Sequence, residues 1–98
     1  MITGKQRNYL KKVAHDIKPI AQIGKAGVTE NFLIQIANAL EAREIVKVKV
    51  LDNSFLDTKE TANEVANAVG AEFVQAIGNK FTIYKASTEN PKIELPKN

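Results

Sequence analysis

The segment from Ile45 to Leu51 reads Ile-Val-Lys-Val-Lys-Val-Leu, and it admits one secondary structure. Its β-branched residues lose rotamer freedom in a helix and suit a pleated strand. With a side-chain period of two, Val46, Val48 and Val50 share one face, and Lys47 and Lys49 share the other. One strand is not stable alone and must find neighbours. Helix-like patterns flank this strand on both sides, which places the chain in the α/β class. The two lysines have two readings: a basic sheet face, or the outward side chains of a half-exposed strand.

The flanking patterns can be read in order. Thr3-Gly4-Lys5-Gln6 is a capping box, so a helix follows to about Asp16. Leu10, Val13, Ala14 and Ile17 form its apolar stripe, while Arg7, Lys11 and His15 line up on another. Lys18-Pro19 ends it, because the residue before proline avoids the helical region. Ile20 to Ile23 is a short strand and Gly24 to Gly27 a loop. Thr29 caps a helix to about Arg43, with Phe32, Leu33, Ile36, Ala37 and Leu40 as its buried stripe. Val28 and Leu33 have the spacing of a hydrophobic staple. Asp52-Asn53-Ser54 is a turn, and Asp57 with Glu60 caps a third helix. Ala62, Val65, Ala66 and Val69 form its stripe and Gly70 its stop. Ala71 to Ile77 and Lys80 to Ala86 are strands of a hairpin turning at Gly78-Asn79.

The order is therefore α-β-α-β-α-β-β. Strand–helix–strand units imply parallel pairs among the first three strands, with right-handed crossovers. The hairpin adds an antiparallel strand. The expected fold is a single compact α/β domain over residues 1–86, one mixed four-stranded sheet with packed helices. Residues 87–98 contain two prolines and little apolar content, and read as a loose tail.

Composition excludes several classes of function. There is no cysteine, hence neither disulfide nor thiolate metal site. No apolar run approaches the roughly 20 residues of a membrane span, and the N-terminus lacks the apolar core of a secretory signal. A cytoplasmic protein without membrane association is expected. His15 is the single histidine and has neither metal-ligating companions nor a nucleophile nearby. The acidic residues Asp52, Asp57, Glu60 and Glu64 lack calcium-loop spacing and serve as caps or solvated charges. No enzyme, metal or cofactor is indicated.

Charge is unevenly spread. Residues 1–27 carry Lys5, Arg7, Lys11, Lys12, Lys18 and Lys25 against Asp16 alone, a net of +5, whereas residues 28–98 carry a net of −2. Localised positive charge steers polyanions, although a solvated helix face has the same composition. The positive segment ends in Gly24-Lys25-Ala26-Gly27, which opens a helix at Thr29. Backbone amides and the positive end of the helix dipole there suit a phosphate. The spacing fits neither the Walker loop nor the dinucleotide fingerprint. It leaves G-x-x-G before a helix, the arrangement with which KH domains clamp a nucleic-acid backbone, or else a plain tight turn. Glu30, just inside the helix, would repel a phosphate lying too near. Six aromatic residues and no tryptophan argue against a base-stacking platform. Tyr84 fits the packed sheet, which leaves Lys85 as the better contact in the last strand.

These residues read as a nucleic-acid-binding module, most simply for RNA. Gly24, Lys25, Ala26, Gly27 and Thr29 would hold a phosphate, and Arg7, Lys11, Lys12, His15, Lys18 and Lys85 would extend the contact. Two rivals remain: an adaptor whose basic helix docks on an acidic protein, and a protein binding a phosphorylated metabolite or nucleotide at the loop. The second needs a pocket and a reactive group that the sequence does not show, so no small-molecule substrate is expected.

Four landmarks in order resemble the YhbY-type members of the CRM-domain family. They are Leu10 with His15-Asp16-Ile17-Lys18-Pro19 leading into Gln22-Ile23-Gly24-Lys25-Ala26-Gly27-Val28-Thr29; Glu44 to Val50; Val74-Gln75-Ala76-Ile77-Gly78; and Ile83-Tyr84-Lys85. The resemblance spans nearly the whole chain. It implies a fold similar to the C-terminal domain of translation initiation factor three. It implies RNA binding through Gly24 to Gly27 and association with ribosomal RNA in precursors of the large ribosomal subunit. One departure lies at Ile83-Tyr84-Lys85, where the family often has Leu-Tyr-Arg. Lysine keeps the charge and loses the planar fork.

Overall fold

The structure is a computed structural model that describes residues 2–97. Its helices begin where the caps place them. The Thr3 hydroxyl accepts from the Gln6 amide (3.1 Å) and Gln6 Oε1 accepts from the Thr3 amide (3.0 Å), closing the capping box of α1, Gly4–His15. Thr29 Oγ1 accepts from the Phe32 amide (3.0 Å) and opens α2, Glu30–Arg43. Asp57 accepts from the Glu60 amide (2.9 Å) and opens α3, Thr58–Val69. The strands are β1, Ala21–Ile23, β2, Ile45–Val50, β3, Glu72–Ile77, and β4, Lys80–Tyr84. A short 3-10 turn, Asp52–Ser54, follows β2.

These strands form one mixed sheet in the order β1-β2-β4-β3. β1 runs parallel to β2, with Ala21 opposite Val48 and Ile23 opposite Val50. β4 is antiparallel to both its neighbours. β3 thus shares the direction of β2 without pairing with it, and the expected parallel pair is separated by β4. Gly78, at φ +59°, folds β4 tightly back along β3. The α3 crossover has set β3 down two strand positions from β2, and β4, between them, satisfies the backbone edges of both.

The sheet divides the helices. On one face Phe32, Ile36 and Leu40 of α2 and Ala62, Val65 and Ala66 of α3 pack on Ile23, Val46, Val48, Val50, Phe81 and Ile83. Ala37, expected on this stripe, is exposed, and Ala39 lies against the core instead. α1 crosses the other face, where Leu10 and Ala14 pack with Ile45, Val74 and Tyr84. Phe73 and Val74 take opposite faces by ordinary alternation, and the irregularity between Phe73 and Gln75 then keeps Gln75 on Val74's face. Helix α1 covers the end of the sheet that holds Ile45 and Tyr84. The end beyond Lys47 stays open.

Each helix C-terminus receives a lysine from elsewhere in the chain. Lys47 Nζ donates to the Ala14 carbonyl of α1 (2.7 Å), Lys92 Nζ to Ala42 of α2 (3.2 Å) and Lys85 Nζ to Val69 of α3 (3.1 Å). A cation there satisfies an orphan carbonyl and opposes the negative end of the dipole.

The segment from Ser87, expected to be loose, contains no helix or strand among its described residues. It is nevertheless fastened to α2. Glu44, wholly buried just past α2, accepts from the amides of Ser87 (2.9 Å), Lys92 (2.6 Å) and Ile93 (2.7 Å). Burial alone would raise its pKa, but those three amides and the Lys92 charge outweigh it and hold the carboxyl below its ordinary value. Glu41 accepts from the Ser87 hydroxyl, the Thr88 amide and hydroxyl, and the Glu89 amide, in that order of effect, and its pKa falls from 4.5 to about 2. Ile93 and Leu95 pack against the cluster of Leu10, Ala14, Ile45, Val74 and Tyr84, and Gln6 donates to the Pro96 carbonyl (3.1 Å). Two carboxylates do this fastening, so a count of apolar residues points away from it.

Candidate nucleic-acid interface

The glycine loop lies at the open end of the sheet. Its residues form a β-turn closed by the Gly27 amide on the Gly24 carbonyl (2.9 Å), with Lys25 and Ala26 exposed at the tip. Gly27 sits at φ +71°, where a side chain would be strained, and the space around it is open. Gly24 has no such requirement. A Cβ there would meet Leu51 Cδ1 at 3.6 Å and Asn53 Oδ1 at 3.9 Å, ordinary contact distances. The loop leads into the Thr29 cap, and Val28 and Leu33 both pack against the main core. Thr29 Oγ1 is occupied as an acceptor by the Phe32 amide, so toward a ligand this hydroxyl serves as a donor.

A row of side chains crosses the open sheet face beside this loop. Register places Gln22 of β1 next to Lys49 of β2, Lys49 opposite Lys80 of β4, and Lys80 opposite Ile77 of β3. The loop starts two residues beyond Gln22, about 7 Å along the strand. Three strand spacings take the row about 14 Å across the sheet. Lys49 and Lys80 put like charges directly opposite each other, an arrangement that destabilises a strand pair. No local sequence signal marks Lys80, because its partner Lys49, 31 residues earlier, is set by the register of β2 with β4.

The row continues onto α1. His15 lines a shallow depression with Lys47, Gln75, Ile77, Lys80 and Thr82. Gln75 and Ile77 also line the adjoining depression, which Arg7 and Lys11 border. The expected stripe Arg7–Lys11–His15 is thus real and faces the β3 side. Arg7 spends its Nε on the Phe73 carbonyl (3.1 Å) and keeps its other guanidinium nitrogens for further contacts. Lys47, one of two lysines with an open reading, is neither a solvated outward residue nor a free cation, because its ammonium caps α1.

Other expected contacts lie apart from this surface. Lys12 lies with Lys5, Asn8, Tyr9 and Pro96 on a different side of α1. Lys18 lies with Ile17, Ile20 and Arg43 toward α2. Lys85 follows Tyr84, at the end of the sheet opposite the loop, and holds the C-terminus of α3. Among the described residues no group of three or more His, Cys, Asp or Glu is placed to hold a metal ion, and no helix is long and apolar enough to cross a membrane.

Comparison with known proteins decides the family. The model of the CRS1 / YhbY (CRM) domain matches residues 2–85. The chain belongs to the CRM-domain family. It is similar to the probable RNA-binding protein YqeI of Bacillus subtilis, at 48% identity over 98% of this chain and 100% of that protein. It is 35% identical to an RNA-binding protein of Haemophilus influenzae, over 98% of this chain and 96% of that one. A solution structure of the Staphylococcus aureus protein SAV1595, described as a candidate RNA-binding protein, superposes with a TM-score of 0.83 at 52% identity, covering 98% of this chain and 100% of that one. CRM domains of this kind are binding modules and not enzymes.

Proposed function

We propose that this CRM-domain protein binds RNA, and that its target is ribosomal RNA in precursors of the large ribosomal subunit. The observation that carries the reading is the continuity of cationic surface from the glycine loop across the open sheet face to α1, in a chain whose CRM relatives are named as RNA-binding. Lys25 and the amides of Ala26, Val28 and Thr29 take one phosphate, while the Gly27 amide stays on the Gly24 carbonyl and keeps the turn closed for close approach. Lys49, Lys80, His15, Lys11 and Arg7 follow the backbone away from it. Lys12, Lys18 and Lys85 stand outside that path.

Such a surface reads phosphates and shape before bases. With five to eight phosphates engaged, the slope of log affinity against log salt is about −4 to −6 for a single strand. The test is a salt series on fragments of large-subunit ribosomal RNA, for wild type and Lys25→Glu. A steep slope, with binding much weakened by the substitution, supports the reading. A slope near zero removes it. Co-sedimentation with precursor particles, absent for Lys25→Glu, tests the choice of target separately.

A further inference from the structure

Phe55 is the most exposed large apolar residue described in the chain, with 92% of its surface open to solvent. It is also, among the described residues, one of two non-glycine residues with positive φ, at +58°. A bulky side chain seldom adopts that conformation without support. Here the support is explicit. The Ser54 hydroxyl donates to the Leu51 carbonyl (2.7 Å) and accepts from the Leu56 amide (3.2 Å), and the Phe55 amide donates to the Asp52 carbonyl (3.2 Å). The turn therefore holds an aromatic ring outward.

Its position is tied to the glycine loop. The Leu51 amide donates to the Ile23 carbonyl (2.9 Å), immediately before Gly24. Leu51 and Asn53 are also the residues that face Gly24. Asp52 and Asp57 flank the ring in sequence, and their charges repel a phosphate. An exposed apolar ring on a turn with two acidic residues, joined to a loop suited to phosphate, fits the base side of a nucleotide and not its backbone. We propose that Phe55 stacks on an unpaired base of RNA whose phosphate lies at the Gly24–Gly27 loop. This inference rests on the RNA-binding reading and adds a preference to it: the target is single-stranded at the loop. No multi-ring platform is required, so the scarcity of aromatic residues does not weigh against it.

Because the ring makes no core contact, Phe55→Ala leaves the thermal midpoint unchanged. Stacking on one base is worth about 5- to 160-fold in affinity. Binding of the full chain is measured to a single-stranded oligoadenylate of about 12 nucleotides and to a duplex RNA of equal length. Phe55→Ala weakens single-strand binding at least about fivefold, with the salt slope and duplex binding unchanged. Since the chain has no tryptophan, Phe55→Trp adds a unique reporter, which keeps the affinity and loses emission when the oligonucleotide binds. Equal single-strand affinity for wild type and Phe55→Ala, with Lys25→Glu still weakened, removes the stacking role and leaves RNA binding standing. Wild type that binds neither RNA removes both. A ring that serves a protein partner gives unquenched Phe55→Trp emission with RNA, which also overturns the proposal.

Discussion

Lys80→Glu separates what the sheet needs from what the proposed surface needs. Lys49 and Lys80 are directly opposed in the β2–β4 pair. Opposed Cβ atoms lie about 5 Å apart, and the ammonium groups can splay to roughly 6–8 Å. In water-like dielectric their repulsion is about 0.5–0.7 kcal/mol. Glutamate at position 80 replaces it with an attraction of similar size, a swing of about 1 kcal/mol. Screening at physiological ionic strength removes roughly half of this, since the Debye length is about 8 Å. A domain of this size gains about 4–8 °C in Tm per kcal/mol, so the expected rise at physiological ionic strength is about 2–4 °C, shrinking as salt is added. On the proposed RNA path the same change deletes one phosphate contact and introduces a repelling charge. Affinity for single-stranded RNA then falls and the salt slope becomes shallower by about 0.7. Thermal unfolding at low and high salt, with RNA titrations on the same samples, measures both. A lower Tm refutes the charge-opposition argument. A higher Tm with unchanged affinity and slope takes the open sheet face off the RNA path.

Two further outcomes follow from the loop and the tail. Gly27→Ala is strained at φ +71° and costs about 1–2 kcal/mol, whereas Gly24→Ala meets only ordinary contacts and leaves Tm nearly unchanged; equal effects would mean that the loop is not held as described. Acid releases the C-terminal segment: Glu41 and Glu44 have folded-state pKa values below their ordinary one, so their stabilisation is fully present above about 4.5; Glu41's is lost as pH falls toward about 2, and Glu44's as pH falls through its own lowered value. Amide exchange at Ser87 to Ile93 reads this directly, and Glu44→Gln releases the segment at neutral pH; protection that persists in both conditions contradicts the carboxylate clamp.

Much of the architecture was legible because it is written locally. Thr3 with Gln6, Thr29 and Asp57 each declare a helix start within four residues, and Gly70 and Gly78 declare turns. The glycine loop and the Arg7–Lys11–His15 stripe are likewise matters of short spacing. The misplaced features all depend on partners far along the chain. The order of β3 and β4 is settled by which edges remain unpaired, not by either strand's own residues. Glu44 looks like an ordinary helix-end carboxylate, yet its three donors come from residues 43 to 49 positions later. Phe55 carries no sequence signal of exposure, since apolar character alone argues for burial.

Charge shows the same division more sharply. Along the chain, positive charge collects in residues 1–27 and suggests an N-terminal basic arm. In space, the cationic row beside the loop draws Lys49 and Lys80 from the part of the chain with net negative charge, because register with β1 carries them there. Three other lysines of that part, Lys47, Lys85 and Lys92, are committed to helix C-termini. A lysine at a helix end lowers the energy of the fold, while two lysines opposed across a strand pair raise it. Selection for stability alone would keep the first kind and remove the second. The sign of a lysine's effect on folding therefore separates a structural cation from one the fold does not need, and the Lys80→Glu measurement applies that criterion to the open half of the sheet.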